Sequence, residues 1–172
     1  MAEPSRFTPL VSEEDLAAVL RMENDGALFD FLSTPLLEEL YRRQDWDFFE
    51  DLNQGQKLIL AYAYFETQMK QGGFLQLIAN SYSPLILDVF EGFEYIKSAP
   101  MMELMSDALE VITLNSDDLL REISIKELPH LYEEYKEFEI LDSKFDELAD
   151  AAVSDMAAYA REHLEEFVKL GD

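Results

Sequence analysis

Apolar residues along the chain recur at three- and four-residue intervals, and alternation at every second position is nearly absent. That periodicity gathers apolar side chains on one face of a helix, so the sequence predicts an all-α fold. Glycine and proline, six of each, punctuate the pattern. Ser12 followed by Glu13, Glu14 and Asp15 reads as an N-cap with an acidic first turn, opening a helix that Gly26 closes. Thr34-Pro35 predicts a second start, with proline at the first helical position. Leu58, Leu60, Ala61, Tyr64, Phe65 and Met69 mark a long apolar helix over 54–71, which Gly72-Gly73 stops. Phe74 to Tyr82 predicts another apolar helix, and Ser83-Pro84 and Pro100 open the next two.

Residues 127–170 read as almost continuously helical, with a break near Asp142-Ser143, where Ser143 can cap a new helix. Beyond it, Phe145, Leu148, Ala149, Ala152, Val153, Met156, Ala160, Leu164 and Phe167 share a stripe, while Asp146, Glu147, Asp150, Glu162, Glu165 and Glu166 fall largely outside it. No repeat of fixed period is visible. The expected architecture is a single compact multi-helix domain over 1–172 with a long acidic C-terminal helical region.

Charge changes this picture more than any motif does. There are 37 Asp+Glu against 13 Lys+Arg, a net charge of −24, in a chain that is 48% hydrophobic. The apolar content is enough to fold, so the excess charge belongs on the surface, where it repels nucleic acid and anionic membranes and attracts basic proteins. The distribution is uneven. Residues 53–86 hold one acid (Glu66) and two bases (Lys57, Lys70) and read as the buried centre. Residues 87–172 hold 23 acids and 7 bases, a net of −16.

Enzyme chemistry finds little support. The chain has no cysteine, which removes thiol catalysis, disulfides and Cys-bound zinc. His130 and His163 are the two histidines, and neither lies in an HExxH motif. Glu127-Leu128-Pro129-His130 has the Glu-x-x-His spacing of di-iron bundles, but no second pair accompanies it. His130 reads instead as a surface or capping residue, and His163 as a partly buried packing residue. Asp45-Trp46-Asp47 lacks the pattern of a calcium loop, and Gly72-Gly73 lacks that of a phosphate loop. The expectation is a non-enzyme with no catalytic residue, cofactor or metal. Met1-Ala2-Glu3-Pro4-Ser5-Arg6 shows no signal peptide, and the apolar stretches are short, so the expected location is the cytoplasm, away from membranes.

A local pattern carries a resemblance. Gln56, Tyr62 and Glu66 lie on the long helix, followed by Gly72-Gly73-Phe74-Leu75-Gln76 and Asn80-Ser81-Tyr82. This stretch resembles a family of small bacterial all-helical domains that includes a dimeric DNA mimic, one that occupies the DNA-binding surface of a helix-turn-helix transcription factor. Length, net charge and the acidic C-terminal half are also similar. The resemblance implies a homodimer that binds a basic DNA-binding protein and keeps it from DNA. It assigns no individual contact residue. Read structurally, the two glycines end one helix and Phe74 anchors the next.

The candidate phosphate-mimicking carboxylates come from the two acidic clusters. The first is Asp45, Asp47, Glu50 and Asp51, interleaved with Trp46, Phe48 and Phe49. The second is Glu133, Glu134, Glu137, Asp142, Asp146, Glu147 and Asp150, in a run with two bases, Lys136 and Lys144. Helix positions i,i+3 and i,i+4 set Cβ atoms about 5–6 Å apart, close enough for a ladder of anions. Duplex DNA carries one charge per roughly 1.7 Å of axis. The alternative is an immunity or antitoxin-like protein that neutralises a basic nuclease, which small, acidic and helical describes equally well.

Overall fold

A computed structural model describes residues 4–171; the reading of Met1–Glu3 as free of a signal lies outside the described residues. The helices are α1 (Glu13–Arg21), α2 (Asp25–Arg43), α3 (Gln54–Ala79), α4 (Pro84–Tyr95), α5 (Ala99–Leu114), α6 (Ser116–Leu119), α7 (Leu128–Glu134) and α8 (Glu137–Glu162). Short 3-10 turns cover Trp46–Asp51, Ile125–Glu127 and Leu164–Glu166. Two dipeptide strands, β1 (Leu10–Val11) and β2 (Lys169–Leu170), pair in parallel. The fold is all-α, as the periodicity predicts. None of the helices is long and apolar enough to cross a membrane.

Contacts group the described residues into two units. Unit 1 joins the residues up to Leu60 to those from Asp150 onward, and unit 2 is Ala61–Ala149. The sequence divides its charge evenly: 19 acids and 7 bases in 1–60 with 150–172, and 18 acids and 6 bases in 61–149, a net of −12 each.

Unit 1 buries Leu28, Leu32 and Leu36 of α2 with Leu58, Met156, Ala160 and Phe167. Polar bonds close it. Asn53 and Gln56 form a reciprocal cap at the start of α3, with Gln56 N–H donating to Asn53 Oδ1 at 2.9 Å and Asn53 N–H to Gln56 Oε1 at 3.1 Å. Gln56 Nε2 then donates to the Phe7 carbonyl (2.9 Å), and Asn53 Nδ2 to the Glu166 carbonyl (2.7 Å). Residues at both ends of the sequence are thereby fixed to one cap.

Unit 2 is organised by rings. Phe65 contacts Phe74 and Phe145, Phe74 contacts Phe138, and Tyr62 contacts Phe93, with centroids 5.4–6.2 Å apart. Each of these rings is essentially buried, and aromatic pairs at such spacing add about 0.5–1.5 kcal/mol beyond their burial.

Several sequence expectations hold. Ser12 caps α1, its Oγ accepting from Asp15 N–H at 3.0 Å. Prolines open α4 and α5. The helix beginning near residue 54 breaks at Gly72 and Gly73, and Gly73 takes φ 73° with ψ −168°, a conformation suited to glycine. His130 is exposed, and His163 stacks on Tyr159 with 4.4 Å between centroids.

Three expectations are corrected. Gly26 does not close α1; it lies in the first turn of α2, because Glu23 turns the chain at φ 49° and Asn24 caps α2 through Ala27 N–H (2.8 Å). Thr34-Pro35 is not a start but lies inside α2. Pro35 has no N–H for the Phe31 carbonyl, a cost of about 3 kcal/mol in a helix interior. Burial of Leu32, Leu36 and Leu40 on either side offsets it, and Thr34 Oγ1 bonds back to the Asp30 carbonyl at 2.7 Å. Finally, the acidic C-terminal region breaks at Tyr135 rather than at Asp142-Ser143, and α8 stops at Glu162 rather than continuing to 170. Tyr135 takes φ −108°, ψ 67°, while its hydroxyl donates to Asp118 at 2.6 Å. A tertiary bond therefore accompanies the break.

Candidate functional site

Each unit carries its own acidic surface. In unit 1 the run from Asp45 forms a 3-10 turn in which Asp45 and Asp51 are engaged. Asp45 caps it by accepting from Asp47 N–H at 2.9 Å. Asp51 pairs with Arg43 at 2.7 Å and Arg6 at 3.6 Å. Glu50 stands 4.0 Å from Lys57, while Asp47 is exposed. Phe48 is buried beneath the Arg43 guanidinium, 4.6 Å from its ring, and Trp46 and Phe49 are only partly covered. Nearby, Arg42 and Arg43 both bond Glu39 and hold its carboxyl down at about 2. Asp150 lies in unit 1 too, exposed on α8.

In unit 2, Glu133, Glu134, Glu137, Asp146 and Glu147 are all exposed. Among the described residues the basic group nearest to any of them is His130, 3.6 Å from Glu134. Asp142 behaves differently. It is half-buried and accepts from Phe74 N–H at 2.9 Å, with the Tyr132 hydroxyl at 3.5 Å. Tyr132 also donates to the Gly72 carbonyl. Burial raises the Asp142 pKa, with Asp146 and Glu139 adding to the rise against those bonds. Burial and the Asp142 charge push Tyr132 up to about 12. Asp142 thus caps, from α8, the half-helix that restarts at Phe74.

The structure adds a row that counting charges had pooled with the rest. Glu103, Asp107 and Glu110 of α5 are exposed at i, i+4 and i+7. Lys144 of α8 reaches Asp107 at 3.7 Å. The signal was present in the helical spacing of the three acids, once Pro100 had opened that helix. At about 1.5 Å per residue these carboxylates are about 5 Å apart along the axis, against about 3.4 Å per phosphate of one DNA strand.

The residues of the quoted motif serve the fold. A Cβ on Gly73 would lie 2.3 Å from Asp142, and one on Gly72 1.8 Å from Gln76 Oε1. Asn80 Nδ2 donates to Gln68 Oε1 at 3.1 Å, and the Tyr82 and Tyr64 hydroxyls meet at 3.0 Å. Among the described residues no three His, Asp or Glu side chains converge as a set that would hold a metal.

Comparison with known proteins places the chain in a family. The chain is 26% identical to the DNA mimic protein DMP19 of Neisseria meningitidis serogroup B (strain ATCC BAA-335 / MC58) over 170 residues, spanning 96% of this chain and 99% of the relative. The family described as DMP19-like protein matches residues 50–163, which include the glycine break, the aromatic core of unit 2 and the exposed carboxylates of α5, α7 and α8. This chain belongs to the DMP19-like protein family.

Proposed function

We propose that the protein is a DNA mimic: its exposed carboxylates occupy the DNA-binding surface of a basic protein, a helix-turn-helix transcriptional regulator, and keep duplex DNA from it. The observation that carries this reading is the set of exposed acids on α5, α7 and α8, held on helices and left mostly without basic neighbours. Fixed carboxylates avoid the ordering cost that a floppy acidic tail would incur. Lys and Arg side chains that bond phosphate oxygens bond carboxylate oxygens by the same charge-assisted geometry. The name of the Neisseria relative supports the same function. Homodimerisation and a cytoplasmic location belong to this reading.

The test is capture from lysate at low salt, followed by displacement with duplex DNA and with rising salt. The expected result is a basic DNA-binding regulator that DNA releases, with affinity falling steeply in salt. Capture of a nuclease whose activity is blocked would replace this reading with neutralisation of a nuclease. Absence of any basic partner would overturn both. Sedimentation of the purified chain reads the homodimer separately.

A further inference from the structure

In the segment from Phe7 to Val11, whose last two residues form β1, every second carbonyl is bonded. The Phe7 carbonyl accepts from Gln56, the Pro9 carbonyl from Lys169 N–H (2.8 Å), and the Val11 carbonyl from Gly171 N–H (3.0 Å). Thr8 and Leu10 alternate with these residues and turn the other way, as strand geometry requires. Neither bonds another described residue through its backbone N–H or C=O. The result is a short open strand edge with two donors and two acceptors, and Leu10 is 73% exposed on it. The same residues form one wall of an open groove of about 490 Å³, lined by Phe7, Pro9 and Leu10 opposite Pro35, Glu38 and Arg42 of α2. Pro35 supplies no N–H to the Phe31 carbonyl of α2. Across the groove Glu38 is exposed, while Glu39 is already neutralised by Arg42 and Arg43.

We propose that this groove of unit 1 docks an extended basic segment of a partner protein, which adds as a strand along Thr8 and Leu10 and sets a Lys or Arg side chain on Glu38. Strand addition takes its affinity from main-chain bonds and its selectivity from alternate side chains. Charge decides between a foreign segment and a second copy. Ser12, Glu13, Glu14 and Asp15 come directly after β1, so the β1 of another copy would bring three carboxylates toward Glu38. A basic segment brings the opposite charge.

The site shares no residue with the α5, α7 and α8 carboxylates, and its test needs neither DNA nor a regulator. The isotope-labelled full chain is titrated with a capped heptapeptide of alternating valine and arginine and followed by its amide resonances. The expected changes are saturable, fall on Thr8, Leu10 and residues 36–42, and persist at 0.3 M salt. A matched peptide with proline in place of valine, which keeps the charge but loses the valine N–H donors, fails to bind. E38K weakens binding about tenfold. L10P removes one outward N–H, spares the Pro9 and Val11 carbonyls that hold β2, and weakens binding by a similar factor. Unchanged affinity in E38K, whose site lies on an exposed helix face, overturns the proposal even if L10P misfolds. So do shifts spread over the acidic helices that vanish with salt, equal binding of the proline peptide, or self-association through β1 without peptide.

Discussion

Two acidic runs in this protein look alike in sequence and are used differently. In the run at 45–51, Asp51 is held by arginines from neighbouring elements and Asp45 caps its own turn. The acids of α7 and of α8 up to Glu147 have two lysines in their own run, Lys136 and Lys144, and Lys144 is directed to Asp107 of α5. Nearby basic side chains, more than the number of carboxylates, decide whether an acidic run holds a fold together or faces outward. Unit 1 spends Asp25, Glu39 and Asp51 on ion pairs with arginine; unit 2 spends Asp118 and Glu127 on Arg121 and leaves the 133–147 acids, other than Asp142, facing solvent.

The comparison is tested most strongly by partner affinity. Replacing Glu133, Glu134, Glu137, Asp146 and Glu147 by their amides should lower low-salt affinity for a captured basic partner on the order of 100-fold and flatten its salt dependence. Circular dichroism of that variant should keep the native helical signal. A collapse of helicity would mean that these acids hold the fold as Asp51 does.

A smaller effect is expected at the glycine break. G73A should cost about 2 kcal/mol in urea unfolding, since alanine at φ 73° is strained and its Cβ meets the Asp142 carboxylate. D51A should cost about 1 kcal/mol through the loss of Arg43 and Arg6 as partners, whereas E147Q should stay within about 0.5 kcal/mol of the parent. Equal losses in D51A and E147Q would erase the distinction between the two runs.

The finest contrast is in pH. Asp142 has its folded pKa above 3.8, so its contribution to stability is fully present below that value and is lost as pH rises through the folded pKa. Glu39 runs the other way, contributing above 4.5 and losing that contribution as pH falls toward about 2. D142N keeps an acceptor for Phe74 N–H without the buried charge. Thermal melts between pH 4 and 7 should therefore show D142N gaining on the parent as pH rises. A constant difference across that range would remove Asp142 from the account.

Much of this was legible from local signals. Ser12, Pro84, Pro100 and Gly72-Gly73 act within a turn of their own position, and each does in the structure what its chemistry suggests. The misses share a different cause. Pro35 is tolerated because leucines around it are buried, and the break at Tyr135 coincides with a bond to Asp118, seventeen residues away. The acidic clusters were visible as clusters. That Asp51 pairs with Arg6 and that Asp142 caps Phe74 depends on residues brought together only by folding.

The pairing of β1 with β2 also bears on the order of assembly. Unit 2 is one uninterrupted stretch, so its ring cluster draws on no residue beyond Ala149. Unit 1 stays open until Lys169 arrives to meet Pro9, a wait on the order of ten seconds at the usual pace of translation. Throughout that wait α1 and α2 are without the residues from Asp150 onward that complete their core, which makes the N-terminal half of the nascent chain the part most exposed to chaperones and proteases.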